Sequence, residues 1–180
     1  MIRPFTSDDR SAMLAFAQGL PEHDLMFLGR DLRHPRVVEA WVEAIGAGDI
    51  DSILYEEDVG GSRRIVGSAA LVRDPLGWSG HVGEVRVLVA TAARGRGVGR
   101  ALLAEIIRIA EGHRLAKLTA KMTPDQAAAI ELFETHGFRG EAMLRDQAID
   151  RSGRIHDIAI LSLDMIRMSE RQQAFGIKDG

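Results

Sequence analysis

The stretch Val87-Leu88-Val89-Ala90-Thr91-Ala92-Ala93-Arg94-Gly95-Arg96-Gly97-Val98-Gly99-Arg100-Ala101-Leu102-Leu103 decides how this chain reads. An apolar strand ends in it, a short turn follows, and alternating glycines lead straight into an amphipathic helix. Glycines let a backbone take positive φ and come close to a ligand. The first N–H groups of a helix have no partner inside it, and the macrodipole adds about half a positive charge there. Such an end is an anion site, above all for phosphate or pyrophosphate. Arg94, Arg96 and Arg100 place cations around the same spot. Two nucleotide motifs fail on spacing. A Walker loop needs Lys and then Ser or Thr after its last glycine, but Gly99 is followed by Arg100-Ala101. The dinucleotide fingerprint needs a glycine three positions after its second one, where this chain has Arg100 or Leu102.

Outward from that loop the chain alternates strands and helices. Glu84–Val89 alternates and is rich in β-branched residues, so it reads as the strand. Val98–Glu111 is the helix, apolar at Leu102, Leu103, Ile106, Ile107 and Ala110. Leu115–Met122 reads as the next strand, and Thr123 or Asp125 as the cap of a helix running through His136 to Gly137. Phe138–Ile149 and Arg154–Met165 read as strands joined by the turn at 150–153. Upstream, a helix capped by Asp8 or Asp9 is followed by an irregular stretch from Glu22 to Pro35, a helix over Val37–Ala47, and a hairpin of Ser52–Glu56 with Arg64–Val72. This order implies an α/β fold with antiparallel hairpins on either side of a parallel unit. Residues 1–168 are expected to form one domain, and residues 169–180 a loose polar tail.

Composition narrows the chemistry. Of 180 residues, 46% are hydrophobic and 27% charged, which suits a globular chain of one-domain length. The 23 basic and 26 acidic residues leave a formal charge of −3, so no nucleic-acid partner is expected. No cysteine is present, which removes disulfides, thiolate metal sites and an acyl-cysteine mechanism. The six histidines lack metal-ligand spacing, so no metal is expected. The start Met1-Ile2-Arg3-Pro4-Phe5 has no charged leader with an apolar run, and no stretch reaches membrane-span length. A cytoplasmic protein without a membrane partner is the expectation.

Arg94-x-x-Gly97-x-Gly99, with an apolar strand before it and Ala-Leu-Leu after it, resembles the acetyl-CoA loop of the GNAT N-acetyltransferase superfamily. A second block, from Thr123 to Phe138 with Gln126, Ala129-Ile130, Leu132-Phe133 and Gly137-Phe138, is similar to that family's Asn-x-x-Ala-Ile-x-Leu-Tyr…Gly-Phe segment. The resemblance covers residues 2–166 and is strongest over 81–140. It implies a twisted, mixed and mainly antiparallel sheet with flanking helices, whose two central parallel strands splay apart. Acetyl-CoA would lie in the gap. Its pantetheine amides would pair with backbone around Val87, Leu88 and Val89, and its pyrophosphate would sit on the N–H groups from Arg94 to Arg100, including those of Gly95, Arg96, Gly97, Val98 and Gly99. Gln126, in place of the usual asparagine, and Phe133 would also touch the cofactor.

The implied reaction is acetyl transfer from acetyl-CoA to a primary amine by direct attack in a ternary complex. An alkyl amine arrives protonated, so a base is needed. Glu84 is the expected catalytic base, with its pKa raised by the apolar cleft; a solvated strand start or an ion pair with Arg86 is its structural alternative. Phe133 stands where many relatives carry a tyrosine that protonates the departing thiolate, and phenylalanine has no proton to give. The acceptor could be a small-molecule amine or a protein amino group, approached past roughly Leu20–Val42. A homodimer through the C-terminal strands stays open. So do a silent acyl-CoA-binding module and an acyltransferase for longer acyl chains.

Overall fold

A computed structural model describes residues 1–175; the last five residues of the polar tail lie outside the described residues. Seven strands form one sheet: β1 (Ile2–Pro4), β2 (Ile50–Val59), β3 (Ser62–Arg73), β4 (Val82–Val89), β5 (Lys117–Met122), β6 (Arg139–Ile149) and β7 (Ile155–Asp164). Their spatial order is β1-β2-β3-β4-β5-β7-β6. Every neighbouring pair is antiparallel except β4 and β5. The expected mixed, mainly antiparallel sheet is therefore what the chain forms.

Five α-helices flank the sheet: α1 (Arg10–Gln18), α2 (Pro35–Ala47), α3 (Val98–Gly112), α4 (Ala127–Thr135) and α5 (Met165–Phe175). The alternation of strand side chains sorts the core into two layers. Leu102, Leu103 and Ile106 of α3 bury against Ile53, Leu71, Val85 and Leu118 on one face. Met13 of α1 and Val38 and Trp41 of α2 bury against Leu54, Ala70 and Leu88 on the other. Gly67 makes room for the first layer. A Cβ there would lie 2.8 Å from Leu102 Cδ1 and 2.9 Å from Val98 Cγ1, so a larger residue would force those side chains of α3 to shift.

Three readings of the sequence need correction. The stretch after Pro21 is not wholly irregular, because Glu22–Leu28 winds into 3-10 turns and buries Leu25 and Leu28. The polar segment from Ser169 continues α5 as far as Phe175. The third concerns α4, whose N-cap is Gln126 rather than Thr123 or Asp125. Both of those side chains instead turn toward the 3-10 segment a hundred residues away.

β1 is short and held to its surroundings by charge. Arg3 donates to Asp9 at 2.6 and 2.7 Å and to Glu56 of β2 at 2.6 Å. Those bonds from Arg3 outweigh burial and hold the Asp9 carboxyl at about 2. A carboxyl lowered on folding stabilises the fold above its unfolded value of about 4 and loses that contribution as pH falls. Denaturant unfolding at pH 7 and near pH 3 should therefore show the native chain losing stability on acidification. Asp9→Asn should lose less between the same two pH values.

Candidate active site

The central strands are joined over only four residue pairs, from Val82↔Lys117 to Val85↔Ala120. Beyond these, β4 continues through Arg86–Val89 paired only to β3, and β5 continues through Lys121 and Met122 paired only to β7. Each strand keeps its outer partner and drops its inner one. The result is a cleft of about 930 Å³ that passes between the strands. Val87, Leu88 and Val89 form one wall, Lys121 and Met122 the other. The freed inner edges present backbone groups that need partners, and an extended amide ligand supplies them.

At the far end the cleft reaches the glycine loop. Arg94, Gly95, Gly97, Val98, Gly99 and Arg100 all line it. Gly95 has φ +70° and Gly97, the N-cap of α3, has φ +83°. Those angles cost an L side chain about 1–2 kcal/mol, so glycine is required here by backbone conformation. Space alone would not demand it, since a Cβ at either position meets nothing within 4 Å. The loop thus turns the open first turn of α3 toward the cleft, which suits a diphosphate.

The arginines behave differently from one another. Arg94 pairs with Asp24 of the 3-10 segment and so stitches that segment to the loop. Arg96 turns aside to Glu57 at 2.9 Å and does not line the cleft. Arg100 is exposed on the first turn of α3. Gln126 lines the cleft, but its side-chain oxygen accepts the Thr123 N–H at 3.3 Å. Phe133 lines it too, buried and packed edge-on against Phe138 with ring centroids 5.0 Å apart.

Glu84 stands at the parting of the strands, on the face that carries α2. Its Oε1 accepts from Arg86 Nε at 2.7 Å and its Oε2 from Lys121 Nζ at 2.7 Å. Arg86 in turn lies 5.8 Å from the Trp41 ring centre. Burial pushes the Glu84 carboxyl up, but the charge of Arg86 and the hydrogen bonds from Lys121 and Arg86 outweigh it, and the pKa is lowered. The expected upward shift is overturned for that reason. Glu84 does not itself line the cleft; its partner Lys121 does.

The sequence reading missed a polar cluster on the roof of the cleft. His23 Nε2 lies 3.0 Å from Asp125 Oδ1 and 3.0 Å from Thr123 Oγ1. Its ring meets that of His156 at 5.6 Å, and His156 Nε2 is 2.9 Å from Asp150 Oδ2. The β6–β7 turn closes over the same region, where Arg151 donates its backbone N–H to Glu22 at 2.9 Å and its guanidinium to Asp31 at 2.7 Å. A histidine in an irregular segment carries no local signal for partners so distant in sequence. Among the described residues no group of three or more His, Asp and Glu could hold a metal ion, and no helix is long and apolar enough to cross a membrane.

Comparison with known proteins agrees with this geometry. The acetyltransferase (GNAT) family model matches residues 23–138. YwnH of Bacillus subtilis (strain 168), named as a candidate phosphinothricin acetyltransferase, is 34% identical over 82 residues. That match spans 46% of this chain and only 50% of the curated relative's length. A ribosomal-protein-alanine N-acetyltransferase from Brucella melitensis superposes with a TM-score of 0.76 at 26% identity, covering 91% of this chain and 99% of that one. A phosphinothricin acetyltransferase from Sinorhizobium meliloti, solved with acetyl-CoA, shares the fold with a TM-score of 0.75 at 16% identity, over 91% of this chain and 87% of its own. Loop, parted strands and family match converge, and this chain belongs to the acetyltransferase (GNAT) family.

Proposed function

We propose that this protein transfers an acetyl group from acetyl-CoA to a small primary amine by direct attack in a ternary complex. The observation that carries the reading is the cleft that opens where β4 and β5 part and ends on the first turn of α3. The backbone of Val87–Val89 would hold the extended arm of the cosubstrate, and the loop N–H groups from Arg94 to Arg100 its pyrophosphate. When bound, acetyl-CoA supplies a thioester whose carbonyl is open to attack. The chain has no cysteine to form an acyl-enzyme, which favours attack by the amine itself.

The roof supports a small acceptor. Arg151 fastens the β6–β7 turn to Glu22 and Asp31 across the side of the sheet that carries Glu84. A folded protein would need that clasp open, whereas a small amine would not. Phosphinothricin, from the names of two relatives, and a peptide starting with alanine, from the third, are the discriminating acceptors to try first.

We assign to Glu84 the reception of the amine's proton. Lys121 places one ammonium against Oε2, and an acceptor's ammonium would take the same place with no change in net charge. A carboxylate kept ionised by two cations attracts an ammonium strongly and retains its proton weakly. Glu84 therefore passes the proton on, and its own ionisation does not limit turnover near neutral pH.

Two measurements test these assignments. In calorimetric titration with coenzyme A, Gly97→Ala should weaken binding about tenfold, because alanine resists the left-handed backbone that aims the loop. An affinity within twofold of the native value would mean that the pyrophosphate sits elsewhere. With the best acceptor at neutral pH, Glu84→Gln should cut turnover at least about tenfold. A loss of less than about threefold would remove Glu84 from the proton path.

A further inference from the structure

We propose that His23, held at the cleft wall by Asp125 and Thr123, is the general acid that protonates the departing thiolate of coenzyme A. This rests on the transfer reading above and adds the half of the proton balance that Glu84 leaves open.

The acceptor's ammonium first gives one proton through Glu84 to water and becomes the attacking amine. As the N–C bond forms and the C–S bond breaks, the bonding electron pair goes to sulfur and the nitrogen loses its second proton to Glu84. Something in the cleft must then supply the proton that turns the thiolate into a thiol. Phe133 and Met122 have none to give. Tyr55, the one tyrosine of the chain, lies in β2. Asp24 is tied to Arg94, and a lysine ammonium such as that of Lys121 is a weaker acid than a thiol. Arginine does not give up its proton in proteins. Among the described lining residues, His23 is the side chain of the type that changes charge nearest neutral pH.

To act as an acid here, His23 has to enter the step with both ring nitrogens protonated. Nε2 lies 3.0 Å from the Asp125 carboxylate, which would accept its N–H and orient the ring, as the carboxylate of a catalytic triad does. The Thr123 hydroxyl, first, and then the charge of the His23 ring hold the Asp125 carboxyl below its ordinary value, against the opposing effect of burial. The carboxylate therefore stays ionised to support the ring. With Nε2 anchored, Nδ1 carries the proton to be transferred. His23 gives that proton to sulfur and is left neutral, with Nε2–H still on Asp125. An imidazolium is a stronger acid than an aliphatic thiol, so the transfer runs downhill. His156, paired with its own Asp150, packs against the ring and limits how far it can swing.

The test compares the native chain with His23→Gln, His23→Ala and Asp125→Asn. His23→Gln should cut kcat at least about tenfold, leave the amine KM and the affinity for coenzyme A within about twofold, and Asp125→Asn should cut kcat about threefold. Added imidazole should restore part of the lost kcat to His23→Ala. A second readout needs no turnover. Followed by thiolate absorbance in the ultraviolet, coenzyme A bound to the native chain should ionise at lower pH than when bound to His23→Gln. Native turnover with unimpaired variants and equal ionisation of the bound thiol would overturn the role of His23 alone. A loss of kcat matched by an equal loss of coenzyme A affinity, with no rescue by imidazole, would make His23 structural and overturn it as well. A native chain that binds coenzyme A and transfers nothing would instead overturn the transfer reading, and the acid role with it.

Discussion

Four residue pairs of parallel sheet hold β4 to β5, and the site exists because the pairing stops there. Continuing it would close the cleft and satisfy the inner backbone edges at once. The chain forgoes those bonds, yet each strand keeps its outer partner, β4 pairing with β3 from Gly83 to Val89 and β5 with β7 from Lys117 to Met122. The gap has polar main chain along its sides and apolar side chains such as Val87 and Met122 between. Unpaired main-chain groups are costly when buried and useful when a ligand completes them. Much of the binding potential of the molecule is stored in that unfinished rung.

The glycine loop extends the same logic from a sheet edge to a helix end. Two successive left-handed glycines set the entry into α3 so that its open amides face the cleft. The neighbouring arginines look from the sequence like a cationic collar, but two of the three are already committed to Asp24 and Glu57. Their ion pairs are partly exposed and contribute little energy individually. Arg94 matters more as a fastening between the 3-10 roof and the loop. Arg100, the main-chain N–H groups and the helix dipole are left to present positive charge to the cleft.

On the opposite face the charges interlock. Glu84 sits between two cations, one of which rests near an indole ring and the other of which forms the cleft wall. His23 and His156 each lean on a separate carboxylate. In the proposed reaction, the amine's proton and the thiol's proton would meet these two differently prepared groups. One is a carboxylate flanked by two cations; the other is an imidazole set against a carboxylate.

Much of this was legible in the residues. The alternation in Glu84–Val89, the apolar stripe of α3 and the spacing of Gly95, Gly97 and Gly99 express local demands, and a local demand is written where it acts. Those features determined the strands, the long helix and the glycine loop within a few residues. The pairing of Glu84 with Lys121, the turning of Thr123 and Asp125 away from α4 toward His23, and the clasp of Arg151 on Glu22 and Asp31 were decided only when distant segments came together. Side-chain charge acts through space and the chain's own order does not record it, so proton affinities in the site belong to the folded protein alone.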